Sequence, residues 1–365
     1  MRKILFVICL LFPVALLAQT NIRISFDNQE DNTILLYKYR GSKTIIVDTL
    51  TAKNGVFQIK STEKLPEGIY LLTSQNNFPL SEILIGKKQR FKVRFHDLED
   101  LNSVKVKGCA KETKNYFKLM ANKQDIESLK VKDKDAFINL VIASLKPCSM
   151  DDYWKDFPLD DARILTYPLI DNKLDTYSDN LYNDAEKINS EIDKLIAKTG
   201  DCEEVRDYLI MYFYKKYYSP KYMNLDDVYI HLVDEYFLKL EMDGIPESYL
   251  NMMADRANYL ENLKIGVKLP EIDTLYSVEA SYITVFFYDK TCQKCSQEER
   301  ILEDIRTNHP EMIIYPVEIN STNVKNLLEV YDIQNTPMIY LLDHKKRIIA
   351  KRIKAGQVEP FLNMD

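Results

Sequence analysis

Residues 283–295 read ITVFFYDKTCQKC and place a pair of cysteines directly behind an apolar run. The run has the length and composition of a buried strand. Cys292 and Cys295 follow it with two residues between them, and the segment after Cys295 is predicted to be helical. Cys292 is therefore expected at a helix start, where unpaired backbone N–H groups and the helix dipole stabilise a thiolate.

A proline opens a second apolar strand about forty residues later, in the stretch NTPMIYLLD at residues 335–343. The pattern around the two motifs predicts the order β-α-β-α-β-β-α, in which the β-α-β part supplies a parallel pair. The predicted elements are strand 283–288, helix 295–307, strand 312–318, helix 322–331, strands 338–343 and 347–352, and a short C-terminal helix.

Residues 19–108 alternate between apolar and polar residues, as half-buried strands do. The stretch IRISF at 22–26 alternates strictly. Asn54-Gly55 lies between two strand-like runs and indicates a hairpin, because these residues accept the positive φ that a tight hairpin turn requires. The segment is predicted to form a small antiparallel β-sandwich, and it has no clustered His, Cys or paired acids that would indicate chemistry.

Residues 109–262 change to helical periodicity and predict an all-α domain. This segment is rich in tyrosine and contains Trp154, the only tryptophan of the chain. Aromatic residues at helical spacing are expected to form the core rather than a ligand groove. The clearest example, segment 188–198, places four apolar residues on one helix face: Ile188, Ile192, Leu195 and Ile196.

The N-terminus predicts export. Arg2 and Lys3 precede an apolar run that ends at Leu17 and is followed by the small residue Ala18. The run is too short to span a bilayer, and the arrangement is typical of a signal peptide over residues 1–18. Cleavage after Ala18 would make the protein periplasmic, and an uncleaved N-terminal anchor is the alternative.

Composition limits the partners and cofactors. The net charge of −6 disfavours nucleic acid as a partner. Zinc at the cysteine pair would need two further ligands, and the four histidines are scattered, so neither a metal nor another cofactor is predicted. Three cysteines lie outside the pair and the signal segment: Cys109, Cys148 and Cys202. They are expected to be mostly buried small apolar residues, and a disulfide between two of them is the alternative.

The last hundred residues, 263–365, resemble the thioredoxin-like thiol–disulfide oxidoreductases of the TlpA/ResA kind. The resemblance lies in the Cys-x-x-Cys, in the Thr-Pro before a strand, and in a Glu one turn past the second cysteine. It implies a thioredoxin fold in which Cys292 is the exposed nucleophile. It also implies that Cys295 resolves the mixed disulfide and that Glu298 passes protons as Cys295 ionises.

The same resemblance assigns substrate binding to Thr336 and Pro337. It implies a cis bond between them, which turns the backbone of Thr336 toward the dithiol. That backbone is then placed to pair with an extended substrate, since proline offers no competing N–H. A plain trans turn proline is the alternative.

The sequence departs from that family at three positions. Thr291 stands where an aromatic residue usually precedes the first cysteine, Phe286 replaces the buried acid of thioredoxin itself, and Arg300 replaces a helix-kinking proline. Lys294 either adds a positive charge near Cys292 or points to solvent. These departures affect the expected redox potential and the choice of client, but both sulfurs remain.

Two other parts of the chain resemble domains of unknown function in exported thioredoxin-like proteins of Bacteroidetes type. The stretches DT at 48–49, GVF at 55–57 and PEGIYL at 66–71 are similar to an N-terminal β domain, and MDDYWKDFPLDDAR at 150–163 is similar to a helical domain. The expected fold is multidomain: a signal peptide at 1–18, an N-terminal antiparallel β-sandwich at 19–108, a central all-α domain at 109–262 and a C-terminal α/β thioredoxin fold at 263–365.

Two classes of function are compatible with the sequence. The first is a periplasmic thiol–disulfide oxidoreductase that reduces disulfides of exported client proteins through Cys292 and Cys295 and receives electrons from a membrane or periplasmic thiol donor. The second is a non-catalytic binding or scaffold protein, in which the β and helical domains bind partners and the cysteines form a structural disulfide. An exposed Cys292 sulfur favours the enzyme, and a sulfur covered by the helical domain favours the scaffold.

Overall fold

The computed structural model describes residues 19–28, 31–121, 126–146, 148–181, 183–220, 222–240, 242 and 244–363. The predicted signal peptide lies outside the described residues. The chain forms two compact units, of which one ends at Asn180 and the other begins at Leu181. Within the described part, no helix has the length and apolar character needed to cross a membrane.

The first unit contains two four-stranded sheets, with the strand orders β4-β1-β7-β8 and β3-β2-β5-β6. Their strands are β1 (Thr20–Phe26), β2 (Thr33–Arg40), β3 (Lys43–Thr51), β4 (Phe57–Ser61), β5 (Gly68–Ser74), β6 (Pro79–Ile85), β7 (Arg90–Phe95) and β8 (Lys105–Gly108).

Alternating side chains explain how these sheets share a core. In β7 the residues Phe91, Val93 and Phe95 are buried, while every second residue is exposed. The buried residues of both sheets belong to one apolar cluster. The strands do not all pair as predicted, because β1 and β7 are parallel. A parallel pair needs a long connection, and β1 and β7 are separated by five other strands, whereas the prediction considered neighbouring strands.

The Asn54-Gly55 turn forms, but it does not join a hairpin of two full strands. Both residues have a positive φ, 52° and 72°, and Lys53 bridges Val56 across the turn. The chain then passes from β3 in one sheet to β4 in the other. The local signal thus predicted the turn correctly, while long-range pairing decided the strand partners.

Three helices complete the first unit, α1 (Lys111–Ala121), α2 (Phe137–Ser144) and α3 (Leu169–Asp179). Helix α1 is fixed to β6 through polar contacts at their interface. The Thr113 hydroxyl donates to the Leu84 carbonyl (2.8 Å), and the Tyr116 hydroxyl donates to Glu82 (2.7 Å). Phe117 of α1 belongs to the core of the two sheets.

The second unit begins with helices whose aromatic residues are buried. They are α4 (Ala185–Ala197), α5 (Glu203–Tyr217), α6 (Asp226–Leu232), its continuation as a π-helix (Val233–Phe237), and α7 (Glu247–Glu261). The Tyr214 ring lies 5.5 Å from the Tyr229 ring and 5.0 Å from the Phe237 ring. All three side chains are buried, so the prediction that these aromatic residues form core is confirmed.

A four-stranded sheet follows, with the order β10-β9-β11-β12. The predicted parallel pair is confirmed, because β9 and β10 are parallel, while β11 pairs antiparallel with β9 and with β12. The elements are β9 (Tyr282–Tyr288), α8 (Gln293–Asn308), β10 (Met312–Glu318), α9 (Val324–Tyr331), β11 (Met338–Asp343), β12 (Ile348–Lys351), a 3-10 turn (Ala355–Gln357) and α10 (Glu359–Leu362).

Both faces of this sheet are buried. Val285 and Phe287 of β9 join one apolar cluster with Leu327 of α9, whereas Phe286 joins another with Leu302 of α8. Successive strand residues point to opposite faces, so the continuous apolar run read from the sequence belongs to a strand covered on both sides. Helix α8 begins at Gln293, two residues earlier than predicted.

The helices predicted to form one central domain are divided between the two units at residue 180. Helices α1 to α3 lie in the first unit, and α4 to α7 lie in the unit that contains the last sheet. The domain boundaries at 108/109 and 262/263 remain predictions.

Candidate redox site

The two cysteines occupy the first turn of α8. Cys292 is the N-cap residue with non-helical backbone angles, and the Cys295 N–H donates to its sulfur (3.1 Å). The predicted placement of Cys292 at the helix start is therefore confirmed. The two residues form a disulfide. Cys292 is half-exposed and Cys295 is 2% exposed, so only the first sulfur is accessible to a large reactant.

A short polar turn leads into the dithiol. The Thr291 N–H (2.6 Å) and hydroxyl (2.5 Å) both donate to the Asp289 carboxylate, and the Cys292 N–H donates to the Asp289 carbonyl (3.1 Å). The hydrogen bonds from Thr291 lower the pKa of Asp289 below its usual range. Asp289 therefore stays ionised over a wider pH range, three residues before the N-cap of α8. Thr291 thus closes the turn at the position where the family has an aromatic residue, and Lys294 is exposed.

The Thr336–Pro337 segment lies against the accessible sulfur. Its peptide bond is cis, as predicted, and the Cys292 sulfur is 3.8 Å from the Thr336 carbonyl oxygen. Both residues are half-buried. The backbone just before β11 therefore borders the redox site, although its predicted role in binding substrate stays a prediction.

Glu298 is held by backbone rather than by the cysteines. The Ala355 N–H, at the start of the turn after β12, donates to its carboxylate, and the side chain is half-buried one turn beyond Cys295. This contact fixes the carboxylate on the side of α8 that faces the 3-10 turn Ala355–Gln357. Its predicted part in proton transfer stays a prediction.

Cys295 is surrounded by apolar side chains. Its cluster includes Phe286 and Leu302, and Met223 packs against the same cluster from the helical part of the unit. The Phe286 ring stacks on Tyr288 at 5.7 Å, so an aromatic ring occupies the position of the buried acid in thioredoxin itself. An apolar environment disfavours a thiolate. The two sulfurs therefore lie in environments that favour ionisation to different degrees.

A buried ion network connects the helices of the second unit to the segment before Thr336. We define it as Asp226, Arg256, Asp332, Lys351 and Arg352. Asp226 pairs with both Lys351 and Arg352. Arg352 lies 3.6 Å from Asp332, and Asp332 also accepts from Arg256 at 2.9 and 3.2 Å.

This network was missed by the sequence reasoning. Asp332 caps α9 with a left-handed φ of 48°, and it also accepts from the Gln334 amide (3.1 Å), which lies two residues before Thr336. Charged residues at the end of a buried strand were the available signal: Lys351 is the last residue of β12 and Arg352 follows it directly. A buried cation needs a partner, but its identity depends on the tertiary structure.

The other cysteines differ from their prediction. Cys109 and Cys148 are exposed and Cys202 is half-exposed, and all three are free thiols. Cys109 directly follows β8, Cys202 is the N-cap residue of α5, and Cys148 lies in the loop after α2, so none of them is within a helix or strand. Among the described residues, no three His, Cys, Asp or Glu side chains come together as a metal site.

Comparison with known proteins gives one family match and several structural neighbours. A model described as a domain of unknown function (DUF4369) matches residues 20–115, which hold the two sheets of the first unit. No curated protein matches the sequence significantly.

Several of the structural neighbours are described as thioredoxin-like proteins or as thiol–disulfide oxidoreductases, and others as proteins of unknown function. A thioredoxin-like protein from Bacteroides caccae is 18% identical over 58% of this chain and 90% of its own, with a TM-score of 0.48. A domain of a possible thiol-disulfide isomerase from Cytophaga hutchinsonii is 30% identical over 27% and 91%, with a TM-score of 0.25.

The thioredoxin domain of a thiol-disulfide oxidoreductase from Bacteroides vulgatus is 24% identical over 28% of this chain and 99% of its own, with a TM-score of 0.24. All three TM-scores are below 0.5, so the functional conclusion rests on the geometry around Cys292. The TlpA/ResA subtype stays a prediction.

Proposed function

We propose that this protein is a periplasmic thiol–disulfide oxidoreductase that reduces disulfides of exported proteins. The observation that carries the proposal is the asymmetry of the pair: a half-exposed Cys292 at a helix N-cap is joined to a buried Cys295. The Thr336 carbonyl beside the accessible sulfur offers an acceptor to the backbone of a client. A basic start and an apolar run at residues 1–18 support export.

The reaction begins from the dithiol form. The Cys292 thiolate attacks one sulfur of a client disulfide, a mixed disulfide forms, and the released client thiolate takes up a proton. The Cys295 thiol then loses its proton and attacks the Cys292 sulfur. This step forms the Cys292–Cys295 disulfide and releases the second client thiol, so the client gains two electrons and the protein loses two. A thiol donor in the membrane or the periplasm restores the dithiol.

The electrostatics of the turn support the reducing direction. Strong oxidants of this kind stabilise their reduced form through a strongly stabilised thiolate. Here the Asp289 carboxylate, which is ionised at neutral pH and accepts from Thr291, works against a thiolate at the start of α8. We expect a reduction potential nearer to about −270 mV, as in thioredoxin, than to about −120 mV, as in DsbA. Equilibration with glutathione or dithiothreitol buffers measures it.

Replacing the resolving cysteine tests the function directly. In Cys295→Ser, Cys292 can still attack but the mixed disulfide cannot be resolved, so covalent complexes with exported clients should accumulate on non-reducing gels. The double variant Cys292→Ser/Cys295→Ser is the matched control and should trap nothing.

The scaffold alternative predicts a different result. If Cys295→Ser traps no more protein than the double variant, and both retain the same partners as the native chain, the cysteines form a structural disulfide. Cys292 is half-exposed, and this exposure favours the enzyme.

A further inference from the structure

The outer face of the sheet β4-β1-β7-β8 gathers cations from all four strands. Its groove encloses about 660 Å³. Six of the lining cations lie on these strands: Arg23, Lys60, Lys92, Arg94, Lys105 and Lys107. Lys53, at the turn before β4, adds another. No acidic residue is among the described residues that line this groove, although the whole chain has a net charge of −6.

The strand register places these cations directly opposite one another. Arg23 pairs with Lys92, Lys92 with Lys107, and Arg94 with Lys105. Like charges in opposed positions destabilise a sheet. Asp27 neutralises the charge of Arg94, since its carboxylate accepts from the Arg94 guanidinium at 2.7 Å. The rest of the face keeps its repulsion in the folded protein, and an anionic ligand would relieve it.

A histidine with one unpaired ring nitrogen also belongs to the groove. His96 lines it, and the ring Nδ1 lies 2.6 Å from the Asp27 carboxylate. The other ring nitrogen, Nε2, is buried and has no hydrogen-bond partner among the described residues. Buried polar atoms are normally paired, so the His96 ring keeps one unsatisfied hydrogen-bonding group beside the groove.

The size and chemistry of the groove define the ligand. Adjacent strands are about 4.8 Å apart, so four strands spread the charge over about 14 Å and match several anionic groups rather than one. The neutral lining residues Ser25, Thr51, Asn54 and Gln58 offer hydroxyl and amide groups. Among the described residues that line the groove there is no Phe, Tyr or Trp on which nucleic acid bases could stack. The face is concave, whereas a membrane surface is flat.

We propose that this groove binds an acidic polysaccharide, whose carboxylate or sulfate groups pair with the cations and whose hydroxyl groups bond to the neutral side chains. Lysine provides most of the charge and acts as a hydrated point charge, which suits a chain of spaced anionic groups. The proposal is independent of the cysteines, because it concerns only the first unit.

Calorimetric titration of the full chain with a heparin oligosaccharide tests the proposal at about 0.15 M ionic strength. We expect saturable binding that weakens as salt is added, and a Kd at least about tenfold higher in Lys60→Gln/Lys92→Gln/Lys107→Gln, because three ion pairs are lost. The matched control, Lys43→Gln/Lys132→Gln/Lys134→Gln, removes the same charge from exposed lysines outside the groove and should leave Kd within about twofold.

Competition separates the ligand classes. Neutral dextran should not displace the oligosaccharide, and single-stranded DNA or phosphatidylglycerol vesicles of equal charge should displace it poorly. Absence of binding, an equal loss in the control variant, or equally effective competition by DNA or vesicles would overturn the proposal. The groove variant should fold at least as stably as the native chain, since it removes opposed like charges.

Discussion

Replacing Asp332 by Asn removes the charge at the centre of the buried ion network and changes little else. Asparagine has nearly the same shape and tolerates the left-handed φ of 48° at this position. It keeps one oxygen that can accept from Arg256, but it leaves Arg256 and Arg352 without the carboxylate that now lies between them.

The structure sets the expected magnitude. The Asp332 and Arg256 side chains are only 7% and 11% exposed, so solvent compensates little for the lost charge. Breaking a buried ion pair costs about 3–5 kcal/mol. Because Asn retains one oxygen that accepts from Arg256, we expect a cost of about 3 kcal/mol, at the lower end of this range. For a unit of this size, about 2–4 °C per kcal/mol gives a Tm lower by about 6–12 °C.

Urea unfolding followed by far-UV circular dichroism measures the change in free energy. Hydrogen exchange of peptides from 324–337 reports whether the loss is local to α9 and the segment before Thr336. Glu329→Gln is the matched control on the same helix, because the Lys325–Glu329 pair is 86% and 47% exposed. It should cost less than about 0.5 kcal/mol.

The reasoning fails if Asp332→Asn and Glu329→Gln lower the free energy of unfolding by the same amount. It also fails if exchange in 324–337 is unchanged, because the network would then not hold the segment that borders the sulfur of Cys292.

Three further predictions concern titratable groups. In the reduced protein, the pKa of the Cys292 thiol should be lower than that of the Cys295 thiol and below the free-thiol value of about 8.5. The alkylation rates of Cys295→Ser and Cys292→Ser, measured against pH, give the two pKa values. Equal pKa values would contradict the assigned roles. Glu298→Gln keeps an acceptor for the Ala355 N–H but removes the charge. The pH–rate profile of disulfide reduction should therefore shift, while the fold persists. An unchanged profile would mean that Glu298 has only a structural role. Burial raises the pKa of Asp161, but the hydrogen bonds from Arg163 outweigh it, and the net pKa is lowered. Its stabilising contribution is therefore present above the unfolded-state pKa of about 3.9 and lost as the pH falls through the folded-state value, so the difference in urea stability between the native chain and Asp161→Asn should vanish in acid.

The dithiol shows how much a local pattern can predict. The resemblance to thioredoxin-like proteins implied the cis bond at Pro337. The apolar run at 283–288, the cysteine spacing and the proline before a strand predicted the element order of the last sheet and the helix start at Cys292. Each of these depends on residues close together in the chain. The roles of Glu298 and Thr336 are not local in this sense, because they concern the reaction, and they stay predictions.

The basic groove shows the opposite case. Net charge alone argued against nucleic acid as a partner, yet strand pairing collects the lysines of β4, β7 and β8 on one face. In the sequence, Lys60 and Lys107 are ordinary solvent-facing residues of alternating strands. Their proximity depends on the register of strands that are far apart along the chain, and alternation does not encode that register.

The sequence by itself determined where the strands and helices of the last sheet lie and which cysteine begins α8, since hydrophobic periodicity and backbone preferences act over a few residues. Only the tertiary structure decided the parallel pairing of β1 with β7, the partners of Asp332, and the exposure of Cys109 and Cys148. These features follow from burial and from contacts between distant segments, where the free energy depends on which surfaces meet rather than on the local order of residues.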